Sequence, residues 1–232
     1  MKKFSKPLKL IIGVLLLPTT VFIFLSCANI LWILLKNYKS TFYLLLGGLI
    51  YLFLHKFVYK FSRLYVVAHE AAHAIVALLC GHKVSDMKIG EESGSVKVSG
   101  VNAFILLAPY AMPVMVFCII FIYLICSLFS LSVDGRIFIF MFGFFITHHL
   151  AYTYKALTET EQSDIKTAGG SIFSFSVIVL ANAVIIVLLL ELLFPGMLPI
   201  WRFAGDVFAK TVKFWADAAK YFYDCIIWIM RK

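Results

Sequence analysis

Charge is what this chain has least of. Only 14% of its 232 residues are Asp, Glu, Lys or Arg, and 62% are hydrophobic. A soluble domain carries roughly 25% charged and 45–50% apolar residues, so a soluble globular fold is excluded. Cysteine is sparse and scattered. Cys27, Cys80, Cys118, Cys126 and Cys225 form no CxxC pair and mostly fall within apolar runs, which argues against a disulfide framework or a Cys-ligated metal. Internal repeats and low-complexity linkers are missing as well, which leaves one membrane domain and no room for a separate soluble one. Acid is scarcer than base, giving a net charge of +9. The basic residues sit at the ends of apolar runs, where they fix orientation in a bilayer, so nucleic acid is not an expected partner.

Long apolar runs take up most of the chain. Residues 10–35 and 172–190 carry no charge, and such runs read as spanning helices. Six spans are predicted: about 8–35 with a bend at Pro18, 41–59, 62–80, 101–130 bent at Pro109 or Pro113, 137–154, and 167–194 ended by Pro195-Gly196. Cleavage near Cys27 is not expected, because the apolar run continues to Leu35.

Two stretches differ. Val84-Ser85-Asp86-Met87-Lys88-Ile89 and Ser95-Val96-Lys97-Val98-Ser99 partly alternate, with Gly90-Glu91-Glu92-Ser93-Gly94 between them, which predicts a β-hairpin. Open strand edges cannot face lipid, so the hairpin belongs at the interface or against protein. From Trp201 onward, aromatic and aliphatic residues interleave with Arg202, Asp206, Lys210, Lys213 and Asp217, the pattern of an amphipathic helix lying in the membrane surface.

The fold class is therefore an all-α polytopic membrane protein of about six transmembrane helices. A small β-hairpin follows the third, and an amphipathic helix closes the chain. The divisions are residues 1–61 (N-terminal helices), 62–194 (membrane core) and 195–232 (tail). With six spans and a cytoplasmic N-terminus, fourteen Lys and Arg fall on the cytoplasmic side against seven opposite. That favours this orientation in the bacterial inner membrane.

The chemistry lies in the third span, at His69-Glu70-Ala71-Ala72-His73. Residues four apart share a helix face, so two neutral imidazoles there can reach one Zn²⁺. A catalytic zinc takes three protein ligands and keeps a fourth position for water, whose pKa falls to about 7. Glu70, beside the first ligand, is placed to take that water's proton as general base. Ionisable residues in a spanning helix are expensive, and a bound dication offsets three of them at once. Residue spacing leaves the third ligand open among His148, His149, Glu159, Glu161 and Asp164. His148 and His149 read better as interhelical hydrogen-bonding groups, and Glu159 and Glu161 as a solvated loop. A polar cluster that merely glues helices together is the plain alternative; a non-hydrolytic metal-binding or transport protein is another.

His69-Glu70-Ala71-Ala72-His73-Ala74, followed by Leu78-Leu79-Cys80-Gly81-His82-Lys83-Val84, resembles the zinc helix of the site-2 protease family, most closely its short bacterial branch. Gly94-Ser95-Val96 stands where that branch has a short β segment. Ala108-Pro109 stands where a helix has Pro near its start, and Gln162-Ser163-Asp164 where a motif precedes the last helix. The resemblance covers roughly residues 66–190. It implies an intramembrane zinc metalloendopeptidase that cleaves membrane-embedded protein or peptide substrates in the lipid bilayer, with Asp164 as the third zinc ligand. The chain departs from the pattern where Ile165, rather than Gly, follows Asp164. The hairpin is then either a free edge that holds an extended substrate or a cover over the metal site. His69 lies six residues past Arg63, or about 9 Å along a helix, toward the cytoplasmic side.

Overall fold

A computed structural model describes residues 5–158 and 162–231. The candidate ligands Glu159 and Glu161 lie outside these residues. The elements run α1 (Lys6–Lys36), α2 (Tyr38–Phe57), α3 (Ser62–Leu79), β1 (Val84–Ile89), β2 (Gly94–Val98), α4 (Ala103–Ala111), α5 (Val114–Leu128), α6 (Gly135–Thr158), α7 (Ser163–Ala168), α8 (Ser171–Leu193) and α9 (Ile200–Met230). The chain is an all-α polytopic membrane protein with one two-stranded antiparallel hairpin. The hairpin falls where alternation predicted it, pairing Met87 with Val96 and Ile89 with Gly94, with an irregularity between Val84 and Asp86.

Among the described residues, four helices are long and apolar enough to cross a membrane: α1, α2, α6 and α8. The pair α4–α5, bent by 71° at its break, is a fifth only if it counts as one broken span and not as a re-entrant loop. The bend falls at Met112-Pro113, where proline removes a helical donor. Helix α3 is not among them. Gly13 of α1 meets Phe173, Ser176 Oγ donates to the Gly13 carbonyl at 3.2 Å, and Ile23 clusters with Ala183. Helices α1 and α8 therefore run parallel. Helices α2 and α6 are also parallel, with Leu44 against Gly143, Tyr51 against His148 and His55 against Tyr152. Helix α5 opposes α6, through Val116 with Phe142 and Tyr123 with Phe138, and α8 opposes α6, through His149 with Asn182.

Helix α2 thus points one way, and α5 points back. Helix α3 folds antiparallel against α4, with His69 beside Tyr110 and His73 beside Ile105. Predicted as the third span over 62–80, it forms a helix over Ser62–Leu79, and Arg63, His69, Glu70 and His73 cut its apolar content below that of the four long apolar helices.

Close helix approach rests on missing side chains. A Cβ on Gly143 would run into the Leu44 carbonyl, and one on Gly47 into the Phe140 carbonyl. Small residues allow this contact in membranes. At the start of α6, Asp134 accepts from the Arg136 guanidinium at 2.7 Å, which holds its carboxyl below the usual carboxylate range.

Helix α9 is amphipathic, as its pattern predicts. Its first half runs antiparallel to α1, with Val207 beside Ile23, Thr211 bonded to Thr19 and Phe214 edge-on to Phe22. A helix lying flat in the membrane surface would meet α1 at one level only. The stripe Phe203, Val207, Thr211 instead follows α1 downward.

Candidate active site

Helix α3 brings the motif to one face by its period. His69 Nε2 and His73 Nε2 lie 3.2 Å apart. Asp164, in the first turn of α7, places Oδ2 at 3.5 Å from His69 Nε2 and 3.4 Å from His73 Nε2. Four ligands around a zinc at about 2.0–2.2 Å stand about 3.3–3.6 Å apart in a tetrahedron. The three separations match that edge length, and these residues could hold a metal together. The donor set of two imidazoles and a carboxylate suits Zn²⁺.

Each of the three side chains is held from behind. A carbonyl can only accept, so His73 Nδ1–H donates to the Ile105 carbonyl at 2.7 Å. That fixes the tautomer and leaves Nε2 as a lone pair facing the other two groups. Ile105 is itself held by the α4 cap, where Asn102 Oδ1 accepts from the Ile105 amide at 3.0 Å. Tyr65 Oη lies 3.0 Å from His69 Nδ1. Tyr110 O–H, fully buried, donates to Asp164 Oδ2 at 3.3 Å and Gln162 Oε1 at 3.4 Å. Burial alone would raise the Asp164 carboxyl; the neighbouring imidazoles of His69 and His73 outweigh it and hold the group well below its ordinary range.

Glu70 is buried and lines the same cleft, of about 470 Å³, with Tyr65, His69, His73, Asp164 and strand residues Gly94, Val96 and Val98. Gly94 lies directly on Glu70. A Cβ there would stand 2.7 Å from Glu70 Cγ and 2.8 Å from Val66 Cγ1, so only glycine lets the hairpin close this far. The cleft volume falls within the range of ordinary ligand pockets.

His148 and His149 stay outside the metal group. His149 Nε2 bonds Asn182 Oδ1 at 2.9 Å, and Asn182 Nδ2 donates to the Tyr110 carbonyl at 2.7 Å, an interhelical glue of the kind the sequence suggests. Tyr65, Ile105, Tyr110 and Gly94 went unnoticed as site residues. Tyr65, one turn before His69, was the one with a readable signal.

The Peptidase M50B-like family model matches residues 41–221. The chain belongs to the Peptidase M50B-like family. At the family level it is a membrane metalloprotease, in keeping with the resemblance to site-2 proteases. No curated protein and no solved structure matches the chain. In this M50B-like chain, helix α1 and the end of α9 lie beyond the matched residues, while every residue of the cleft lies within them.

Proposed function

We propose that the protein is an intramembrane zinc metalloendopeptidase in which His69, His73 and Asp164 hold the ion and Glu70 moves the proton. The observation that carries this is the tetrahedral edge spacing of 3.2, 3.5 and 3.4 Å among three ligand atoms, with a buried carboxylate lining the same cleft. When bound, the zinc would act as a Lewis acid and make water acidic enough to react at neutral pH. The rest falls to the protein. Glu70 accepts a proton from the attacking water while the water oxygen bonds to the scissile carbonyl carbon. Glu70 then returns that proton to the amide nitrogen as the C–N bond breaks. The products are a carboxylic acid and an amine, which ionise to carboxylate and ammonium as the second proton passes to the amine, and one water is consumed.

The substrate is a segment of a membrane protein unwound into extended form. Strand β2 lies along the cleft through Gly94, Val96 and Val98. A substrate strand added to the hairpin would use main-chain bonds that carry no sequence preference. The hairpin covers Glu70 and borders the cleft, which is compatible with both roles the sequence left open.

Leaving the hairpin aside, the N-terminal side carries nine Lys and Arg: Lys2, Lys3, Lys6, Lys9, Lys56, Lys60, Arg63, Lys155 and Lys166. The opposite loops carry three, Lys36, Lys39 and Arg136; α9, which runs back along α1, is set aside. This supports a cytoplasmic N-terminus in a bacterial cell membrane, with the cleft opening toward the cytoplasm. A transporter would need ligands along a path. Among the described residues His69, His73 and Asp164 form the one group that could hold a metal.

The test is cleavage of casein and of a fluorogenic single-span peptide by the protein in lipid vesicles. One zinc per chain is expected, and 1,10-phenanthroline should remove both zinc and activity. Glu70→Gln should keep the zinc and lower the rate by about 10²–10⁴-fold. Undiminished cleavage by that variant would overturn the reading.

A further inference from the structure

Among the described residues, His148 Nε2 is the one buried side-chain polar atom without a hydrogen-bond partner. The residue is 2% exposed. Its backbone partner is the Phe61 carbonyl, which can only accept, so the ring carries its hydrogen on Nδ1 and Nε2 is a bare acceptor. Leaving such an acceptor unsatisfied costs about 1–3 kcal/mol. Natural proteins rarely tolerate this without a reason.

A reason lies beside it. A void of about 20 Å³ sits behind the metal helix, lined by His148 and His149 of α6, by Tyr65 and His69 of α3, and by the Met112-Pro113 bend. One water needs about 10–15 Å³ and two to four polar partners. Tyr65 and His148 both line the void, His148 with an open acceptor at Nε2 and Tyr65 with a hydroxyl 3.0 Å from His69 Nδ1. Tyr152 ties the two sides together. Its ring stacks on Tyr65 at 4.2 Å and meets His148 at 5.1 Å, and its hydroxyl donates to the Lys60 carbonyl.

The tautomers then decide which way the hydrogens point. His73 Nε2 is a lone pair because Nδ1–H is committed to Ile105. The 3.2 Å contact between the two Nε2 atoms therefore needs a hydrogen from His69, and His69 Nδ1 accepts from Tyr65. With an ion in place, both Nε2 lone pairs are committed to it. His69 must then carry its hydrogen on Nδ1 and donate it to Tyr65 Oη. The Tyr65 hydrogen is displaced and needs an acceptor of its own.

We propose that the void holds one ordered water, and that Tyr65, this water and His148 form a relay that sets the metal-binding tautomer of His69. In the loaded state every donor meets an acceptor: His69 Nδ1–H to Tyr65, Tyr65 O–H to the water, the water to His148 Nε2, and His148 Nδ1–H to Phe61. Tyr65 and His148 are positioning residues, since neither touches the ion. The relay ends at the N-cap of α3, where Phe61 holds a left-handed φ of 53°, so the metal helix and its ligand are fixed by one chain of bonds. The inference takes the His69 metal site from the proposed function and adds its support from behind.

The experiment measures zinc affinity by chelator competition, not cleavage, on the full chain in detergent. Partners behind a ligand typically contribute 10–100-fold in affinity. Tyr65→Phe and His148→Leu should each weaken zinc binding at least 10-fold, while His148→Gln, which restores an acceptor, should stay within about threefold. The Tyr65→Phe/His148→Leu double variant should be no weaker than the worse single one, because both cut the same relay. Unchanged affinity in His148→Leu, or additive losses in the double variant, would refute the relay. Should His148→Leu fail to fold, an experimental density map of the wild type decides: a water between Tyr65 and His148 is expected, and a void without one overturns the proposal. If the relay variants lose zinc but the wild type cleaves nothing, the protease reading fails and the relay stands. If Glu70→Gln abolishes cleavage while the relay variants bind zinc normally, the reverse holds.

Discussion

At the scale of residues, two contacts around the cleft govern what a substitution should do. Tyr110 donates to Asp164 Oδ2, the oxygen that faces the histidines, and its ring stands edge-on to His69. Tyr110→Phe keeps the ring in place and frees the carboxylate to rotate. Zinc affinity should fall about 10–100-fold, with cleavage recovering at saturating zinc, as measured by chelator titration alongside the vesicle assay. Gly94 governs Glu70. Gly94→Ala places a methyl 2.7 Å from Glu70 Cγ, so either the hairpin lifts or Glu70 turns. Cleavage should drop at least tenfold with zinc content unchanged; full activity in this variant would show that the contact is not needed. The histidine pair and its glutamate were legible because a four-residue spacing on a helix has one geometric meaning. The tyrosines were not, because a hydroxyl becomes a positioning group only once the fold sets it at 3.0–3.3 Å from its partner.

At the scale of elements, α4 is short and carries two duties. Its cap, Asn102, holds the Ile105 amide, and the Ile105 carbonyl holds His73. Asn102→Ala should cost about 1 kcal/mol, read as a lower melting temperature, and should weaken zinc binding because the acceptor that pins the His73 tautomer is loosened. The α2–α6 pair is the other sensitive contact. Gly143 abuts the Leu44 backbone, so Gly143→Leu must push the helices apart. A loss of several kcal/mol in stability is expected, of the order seen when cores are overpacked or broken, measurable by thermal denaturation in detergent. The apolar runs announced both helices, and turn residues announced the hairpin. The pairing of α2 with α6 could not be read, because glycines in a long apolar segment mark close approach without naming the partner.

At the scale of the whole molecule, the parallel course of α1 and α8 fixes an odd number of crossings between their N-terminal ends and the end of α8. The 129–134 loop then lies on the side opposite the N-terminus, and the 58–61 turn on the same side as it. Single cysteines at Lys60 and at Asp134, in a cysteine-free background, should react with a membrane-impermeant maleimide from opposite faces. Labelling of both from one face would break this arrangement. Six spans were expected; four helices and the bent pair α4–α5 carry the apolar content for crossing, and α3, with its ionisable groups, is held against α4.

By itself, the sequence determined the polytopic membrane class, the hairpin, and the two imidazoles and carboxylate of His69, Glu70 and His73, since each follows from local periodicity or from the water-to-lipid cost of charge. Tertiary structure alone decided two things: that Asp164 stands at 3.4–3.5 Å from both imidazoles, and that α9 follows α1. The reason is the same for both. These contacts join residues far apart in the chain, and sequence spacing carries no information about distances that only the packed helices set.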